Sequence, residues 1–321
     1  MESTKKNWST ALFISAFGLL VFAAFAAVGS FVAGYGLVVG ILVGCLVPTI
    51  GALCNFYGVK AKRAISETGK WRMVEGTCAL IMLVMAIVAF KPMVIGFNYI
   101  CDSSVLRNSA QADIATIDSL NVYFQETERA RVDATYSGLV NFVSSGTRGA
   151  SQDLCDFIAA EFPGVAPFEL RQENINAHRS SLEANILAQP SGLSVEKRNF
   201  IESSIDNLPI SAALISEQIR EYASSVSSDF NSCASQVNLP VILAGAESTY
   251  VATPTTAKNF ECVPSAYENA YKEINTMSTL AIVVVVLVLF LSFFIYLILF
   301  RNSRVEIETG TKMSENLGLP L

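Results

Sequence analysis

The sequence predicts an all-α membrane protein, with four transmembrane helices and a large helical, disulfide-bearing domain between spans three and four. Composition is the first observation behind this prediction, since 52% of the 321 residues are hydrophobic and only 16% are charged. The second observation is that the charges avoid four apolar windows, each long enough to cross a bilayer as a helix. The third is the charge of the segment 97–278, where 11 Lys/Arg and 22 Asp/Glu give −11. A basic nucleic-acid-binding surface is therefore not expected there.

The apolar runs define the predicted spans: residues 8–28, 31–54, 76–100 and 279–300. Basic residues flank these spans, with Lys5 and Lys6 before the first and five Lys/Arg in the connection 55–75. Two arginines open the tail 301–321. Under the positive-inside rule, these segments and residues 1–7 are predicted to be cytoplasmic. Since the first run is about 20 residues long and a second follows at once, we expect a retained span rather than a cleaved signal peptide.

The second predicted span carries Gly36, Gly40 and Gly44 at four-residue spacing. Residues four apart share one face of a helix, and missing side chains on that face let a neighbouring helix approach closely. Because only Gly29 and Ser30 separate the first two spans, we expect this glycine face to pack against span one.

The third predicted span contains Lys91, the only charge inside any of the four runs. An intramembrane charge is a candidate functional site. The alternative, which we favour, is that Lys91 extends its ammonium to the headgroups. This alternative is favoured because spans one, two and four hold no Asp or Glu that could pair with it.

The segment 101–278 is predicted to be a helical domain outside the cytoplasm. Apolar residues at helical spacing predict helices over residues 102–145, 151–162, 168–187 and 194–237, the last broken near Pro209. One apolar stripe of that last helix is expected to be buried: Ile201, Ile205, Ile215, Ile219 and Tyr222. Residues 238–264 are rich in β-branched and turn residues, which predicts irregular chain with at most a short strand. From residue 265 we expect a helix that continues into the fourth span.

Four cysteines lie in this segment, an even number that indicates disulfide bonds in an oxidising compartment: Cys101, Cys155, Cys233 and Cys262. Four cysteines allow three pairings, and the sequence does not decide among them. We favour Cys155–Cys233 together with Cys101–Cys262, because the second pair would tie the opening helix to the segment before the last helix.

The sequence offers no catalytic or metal-binding motif, and no enzyme activity or cofactor is expected. The single histidine, His178, lies on a predicted helix beside Arg179 and is interpreted as a surface residue. No metal-ligand spacing, nucleophile motif or phosphate-binding glycine loop is present. The many carboxylates are interpreted as a solvated helical surface.

The predicted topology resembles that of the tetraspanins. Four spans, cytoplasmic termini, a short basic second connection and a large cysteine-bearing loop before the last span carry the resemblance. The stretch Gly51-Ala52-Leu53-Cys54-Asn55 at the end of span two is similar to that family's small-residue and cysteine pattern. The family's Cys-Cys-Gly motif does not occur in this sequence. The resemblance implies a protein that organises other membrane proteins.

The function expected from these features is that of a non-enzymatic organiser, scaffold or structural subunit. It would bind other proteins of the same membrane through its helical domain and glycine-faced spans, with a second copy of the chain as a further candidate partner. The bilayer itself is an expected partner, and nucleic acid is not. The location would be the plasma membrane or an endomembrane. Two alternatives are a subunit of a channel or transporter, and an adhesion or sensing receptor.

Overall fold

The computed structural model describes residues 2–63, 68–145, 152–186, 191–235, 240–243, 249–252, 258–260 and 265–293. The predicted tail, the end of the fourth predicted span and Cys262 lie outside these ranges. The described chain is mostly helical. Its elements, in order, are α1 Glu2–Val32, α2 Leu37–Arg63, α3 Thr68–Ser145, α4 Gln152–Glu161, a 3-10 turn Pro167–Glu169, α5 Gln172–Ile186, α6 Gly192–Asp206, α7 Ala212–Ser235, β1 Pro240–Leu243, β2 Thr249–Ala252, α8 Ala266–Ile274 and α9 Thr279–Ser292.

Four helical stretches are long and apolar enough to cross a membrane, which confirms the prediction of four such helices. They are Leu12–Val32, Leu37–Gly58, Met73–Ser144 and Ala266–Ser292. The long element α3 contains the third predicted span and the helix predicted after it, and the two helices meet at a kink. Asp102 is a non-helical residue inside it, with φ −120° and ψ 19°.

The segment 238–264 contains more regular structure than the sequence predicts. β1 and β2 form an antiparallel hairpin in which Val241 pairs with Val251 and Ile242 with Tyr250. The β-branched residues that suggested a short strand lie in both of these strands. The described fold is therefore mainly helical, with this one two-stranded sheet.

The fourth span also departs from the prediction, because the chain is interrupted between α8 and α9. At this point polar side chains bond to the backbone of the preceding turn, with Asn275 Nδ2 donating to Tyr271 O at 2.8 Å. Ser278 then caps α9 by accepting a hydrogen bond from the Ala281 amide at 3.2 Å. Side chains of this kind compete with helix continuation and favour a helix start.

The chain divides into two compact units. The first, which we name the span unit, contains the described residues of Met1–Ser109, Ser204–Ile215 and Tyr267–Leu321. The second, which we name the loop unit, contains those of Ala110–Ser203 and Ser216–Ala266. The predicted outer domain 101–278 therefore does not coincide with one unit, because the turn between α6 and α7 and most of α8 belong with the spans.

Each unit has its own hydrophobic core. In the span unit α1, α2, α3 and α9 share a core whose largest fully buried side chains are Phe22, Met82 and Met93. In the loop unit the end of α3 packs with α4 and α5 around Tyr136, Leu154 and Ile158. The predicted buried stripe of α6 and α7 is confirmed, since all five of its side chains are buried.

Candidate functional site

The helix α1 contacts α2, α3 and α9 of the span unit. A Cβ added to Gly18 would lie 2.6 Å from the Ser292 amide nitrogen of α9. A Cβ at Gly51 in α2 would lie 2.5 Å from Leu19 of α1. Glycine is therefore present where α1 meets α9 and where it meets α2. Small residues allow close approach of neighbouring membrane helices in this way.

The closest approach is between α1 and α3, at Gly29 and Gly96. A Cβ at Gly29 would lie 1.7 Å from Pro92 O, and one at Gly96 would lie 2.0 Å from Phe25 O. The obstructing atoms are backbone atoms, which cannot rotate away as a side chain can. Only glycine at both positions allows the two helices to pack at this distance.

The three glycines singled out in the second predicted span have two different roles. Gly40 and Gly44 face α1, because added Cβ atoms would meet the Phe31 ring at 2.1 Å and the Ala27 Cβ at 3.3 Å. Gly36 does not share this face. It lies in the turn before α2 with φ +89°, a conformation that favours glycine, and an added Cβ would meet nothing within 4 Å.

A cluster of neutral polar side chains is buried where α1, α2 and α9 meet. Ser15 Oγ donates to Ser292 O at 2.7 Å and accepts from Asn55 Nδ2 at 2.8 Å. Ser15, Asn55 and Ser292 are each at most 4% exposed. Within the described residues, Asn55 Oδ1 has no hydrogen-bond partner. Interhelical hydrogen bonds of this type hold membrane helices together without a charge.

A second buried polar group, the Asn98 side chain of α3, bonds to the break between α8 and α9. Its Nδ2 donates to Ile274 O at 3.0 Å and to Thr276 O at 2.9 Å. Its Oδ1 accepts from Ser278 Oγ at 3.1 Å. Asn98 therefore satisfies carbonyls that the end of α8 leaves without helical partners.

Two tyrosines of α8 make similar contacts with the ends of other helices in the span unit. Tyr271 OH donates to Val32 O, the last carbonyl of α1, at 2.8 Å. Tyr267 OH donates to Ala212 O, the first carbonyl of α7, at 2.7 Å. The two phenol rings stack with centroids 6.2 Å apart. The short helix α8 is thus attached to α1 and α7 through hydroxyl groups.

Three of the four cysteines of the large segment lie in the described part of the chain, and none of these three is bridged. Cys155 and Cys233, the pair favoured from the sequence, are both free thiols, as is the exposed Cys101. Cysteine number and spacing do not determine which thiols meet. In the span unit, the buried Cys54 and Cys78 side chains are hydrogen-bonded to each other and connect α2 with α3.

The intramembrane charge Lys91 lies on the exposed flank of α3. Its neighbours on that flank, Ile87 and Val88, are 67% and 73% exposed. The ammonium group is therefore outside the helix bundle of the span unit. This placement favours the interpretation that Lys91 extends to the headgroups over that of a pore-lining charge.

One polar cluster of the loop unit surrounds His178 of α5. His178 Nδ1 lies 2.5 Å from Tyr136 OH of α3, and His178 Nε2 lies 3.5 Å from Glu161 Oε2 of α4. Next to it, Arg179 pairs with Asp133 and with Glu183, the latter at 2.7 Å. The His178 side chain is only 29% exposed. His178 is therefore only partly at the surface, because Tyr136 and Phe162 contact its ring.

A second polar cluster connects α3, α6 and α7. Tyr222 OH donates to Asp118 at 2.6 Å, and Arg198 pairs with the same carboxylate at 3.2 Å. Burial raises the pKa of the Tyr222 phenol, and the hydrogen bond to Asp118 and the charge of that carboxylate raise it further. The phenol therefore remains a neutral donor at physiological pH.

No described residues form a group of three or more His, Cys, Asp or Glu that could hold a metal ion. In comparisons with known proteins, no family model, no curated protein and no solved structure matches the chain.

Several of these residues were not found from the sequence, although some left a signal. In the sequence, Gly29 is predicted only as part of a turn, and no contact is predicted for Gly96. Gly96 lies inside the third predicted span, where a residue without a side chain permits close helix contact. Asn98 lies inside the third predicted span, where a buried amide needs a polar partner. No sequence pattern indicates which helix supplies that partner.

Proposed function

We propose that the chain is a non-enzymatic multi-pass membrane protein that organises other membrane proteins or is a structural subunit of their assemblies. It binds laterally, through the exposed flank of α2 and through the loop unit. A second copy of the chain is a further candidate partner. The resemblance of its predicted topology to the tetraspanins supports this proposal as an analogy.

The observation that carries the proposal is the position of α2. The side of α2 that holds Gly40 and Gly44 is occupied by α1, so those glycines are not available to another protein. The exposed flank presents a row of large apolar side chains: Val38, Leu42, Leu46, Leu53 and Phe56, which are 49% to 70% exposed. Such a flank contacts lipid in the free protein and can pack against the span of a neighbouring protein.

The distribution of charge along the sequence supports an orientation in which both termini lie on the cytoplasmic side of the membrane. The basic connection between α2 and α3 and the basic residues near both termini place these segments together under the positive-inside rule. The acidic segment 97–278 then lies on the opposite side. The proposed location is the plasma membrane or an endomembrane.

A channel or transporter is not favoured by a specific observation. Lys91 lies on an exposed flank, and the buried polar groups Ser15, Asn55 and Asn98 are neutral and bonded to their neighbours. Conduction requires polar groups that line a path across the bilayer. Nothing comparable was found among the described residues of the span unit.

The test is purification of the tagged full-length protein in gentle detergent, followed by mass spectrometry. The variant Leu42→Ala/Leu46→Ala changes the flank of α2, and Ile87→Ala/Val88→Ala is the matched control on the flank of α3. We expect a membrane protein at fixed stoichiometry with the unmodified chain and the α3 control, and its loss with the α2 variant. A monodisperse monomer without a stoichiometric partner, or equal losses for both variants, would contradict the proposal.

A further inference from the structure

The start of α7 lies against the turn that joins α1 to α2. A Cβ added to Gly34 in that turn would lie 2.9 Å from the Ala213 Cβ, so the two segments are in direct contact. On its other side, the start of α7 is held by α8, because Tyr267 OH donates to Ala212 O at 2.7 Å. All of these residues belong to the span unit. The chain between α6 and α7 is therefore fixed at the end of the first two spans.

The turn between α1 and α2 marks one edge of the bilayer. The stretch Leu12–Val32 has 21 residues, and at 1.5 Å per residue it rises about 31 Å, which matches a hydrocarbon core about 30 Å thick. The next stretch begins at Leu37, so residues 33–36 connect two spans at the membrane surface. Tyr35 in this connection is 49% exposed, and tyrosine is enriched at the level of the headgroups. The headgroup layer is roughly 5–8 Å thick on each side, and a residue that contacts this turn lies within that layer.

Two large apolar side chains are exposed where α6 is joined to α7. Ile210 and Leu214 are 52% and 54% exposed, whereas Ala212 and Ile215 beside them are fully buried. The stretch 207–216 contains no charged residue, although the segment 97–278 around it is strongly acidic. Apolar side chains at the level of the headgroups are typical of segments that insert into the membrane interface.

This apolar surface is continuous with the surface that the spans present to lipid. Leu37 and Val38, which begin α2 directly after the turn that Ala213 contacts, are 49% and 70% exposed. Lipid that covers these two side chains therefore also reaches the start of α7. Because the stretch 207–216 has no basic residue, its contact does not require anionic headgroups.

We propose that the chain between α6 and α7 inserts Ile210 and Leu214 into the headgroup layer of the bilayer, beside the turn between α1 and α2. This contact is a second attachment to the membrane, in addition to the four spans, and its partner is a zwitterionic lipid surface. The inference goes beyond the lateral binding of other proteins proposed above and does not depend on it.

The experiment measures quenching of tryptophan fluorescence by brominated phosphatidylcholine in nanodiscs that contain the full-length protein. The chain has two tryptophans, Trp8 and Trp71, and both are first replaced by phenylalanine. Ile210→Trp and Leu214→Trp are then introduced one at a time, so that either variant reports the contact if the other does not fold. We expect both to lose fluorescence, and to lose more with bromines near the headgroups than with bromines near the chain ends.

Two reference positions calibrate this loss. Leu20→Trp lies in the middle of α1 on an exposed flank, and we expect the opposite preference, for bromines near the chain ends. Leu193→Trp is the matched control, because Leu193 is 57% exposed and lies in the first turn of α6. The 15 residues of α6 rise about 22 Å between this control and the proposed contact. We expect little quenching at position 193.

Two results would overturn the proposal. The first is quenching at positions 210 and 214 that is no greater than at position 193, which would leave the apolar pair to a protein partner. The second is a preference for chain-end bromines at positions 210 and 214 equal to that of Leu20→Trp, because such a depth does not fit the headgroup layer. Neither result affects the purification test of lateral binding, so the two proposals fail separately.

Discussion

Substitution of Gly96 by alanine tests the closest helix contact of the span unit. The added Cβ would lie 2.0 Å from Phe25 O and 2.9 Å from the Gly29 amide nitrogen, both backbone atoms of α1. An unstrained carbon contact is about 3.5 Å. The two helices would therefore have to separate by about 1.5 Å at this point, or the new methyl group would remain in a strong overlap.

The expected cost of Gly96→Ala is about 3 kcal/mol, at the upper end of the usual range for overpacking. At about 2–4 °C per kcal/mol, the apparent Tm should fall by roughly 6–12 °C. Gly76→Ala is the matched control in the same helix, because its Cβ meets nothing within 4 Å. Gly44→Ala is an intermediate case, with its Cβ 3.3 Å from the Ala27 Cβ.

The assay is thermal unfolding of the full-length protein in detergent. It is monitored as the fraction of the protein that remains monodisperse on size-exclusion chromatography after heating. The expected order of Tm is Gly76→Ala highest, Gly44→Ala next and Gly96→Ala lowest. Equal Tm values for Gly96→Ala and Gly76→Ala would refute the reasoning, since the two substitutions add the same group and differ only in what that group meets.

Four further substitutions test the polar side chains of the span unit. Asn98→Leu should cost about 2–4 kcal/mol, because it leaves the carbonyls at the α8–α9 break without a donor, and deuterium exchange of residues 275–281 should increase. Ser15→Ala should lower the Tm more than Asn55→Leu. The Ser15 substitution leaves the buried Asn55 amide group without an acceptor, whereas the Asn55 substitution removes that amide together with its unpartnered Oδ1. The reverse order of Tm would contradict this reasoning. Lys91→Gln should change the Tm by less than the equivalent of about 0.5 kcal/mol, because the residue lies on an exposed flank. A larger fall would show that Lys91 has a buried partner.

Much of the fold could be predicted from the sequence because its main determinant is local. The apolar runs that define the spans and the 3–4 periodicity of α4 to α7 are properties of neighbouring residues. The glycine face of α2 was only partly predicted. Gly40 and Gly44 contact α1, but the chain before Leu37 is a turn, so Gly36 lies outside the helix.

The contacts between distant residues could not be predicted in the same way. Asn98 is 176 residues from Ile274, and Tyr136 is 42 residues from His178. Which polar groups meet depends on how the helices pack, and the spacing of residues along one helix does not encode it. The same limit applies to the cysteines. An even number of cysteines makes disulfide pairing feasible, but it does not determine which cysteines pair.

Different interactions stabilise the interior of each unit. This difference determines which unit responds to a change in solution conditions. In the span unit the polar contacts formed by Ser15, Asn55 and Asn98 are neutral hydrogen bonds, and the closest contacts are between backbones. Neither depends strongly on salt, nor on pH between 5 and 8. In the loop unit, α3, α4 and α5 are connected by partly exposed ion pairs and by the one histidine of the chain. Each such pair contributes at most about 1 kcal/mol and is screened by salt. A rise in ionic strength should therefore weaken the contacts among α3, α4 and α5 in the loop unit while leaving the packing of the spans unchanged.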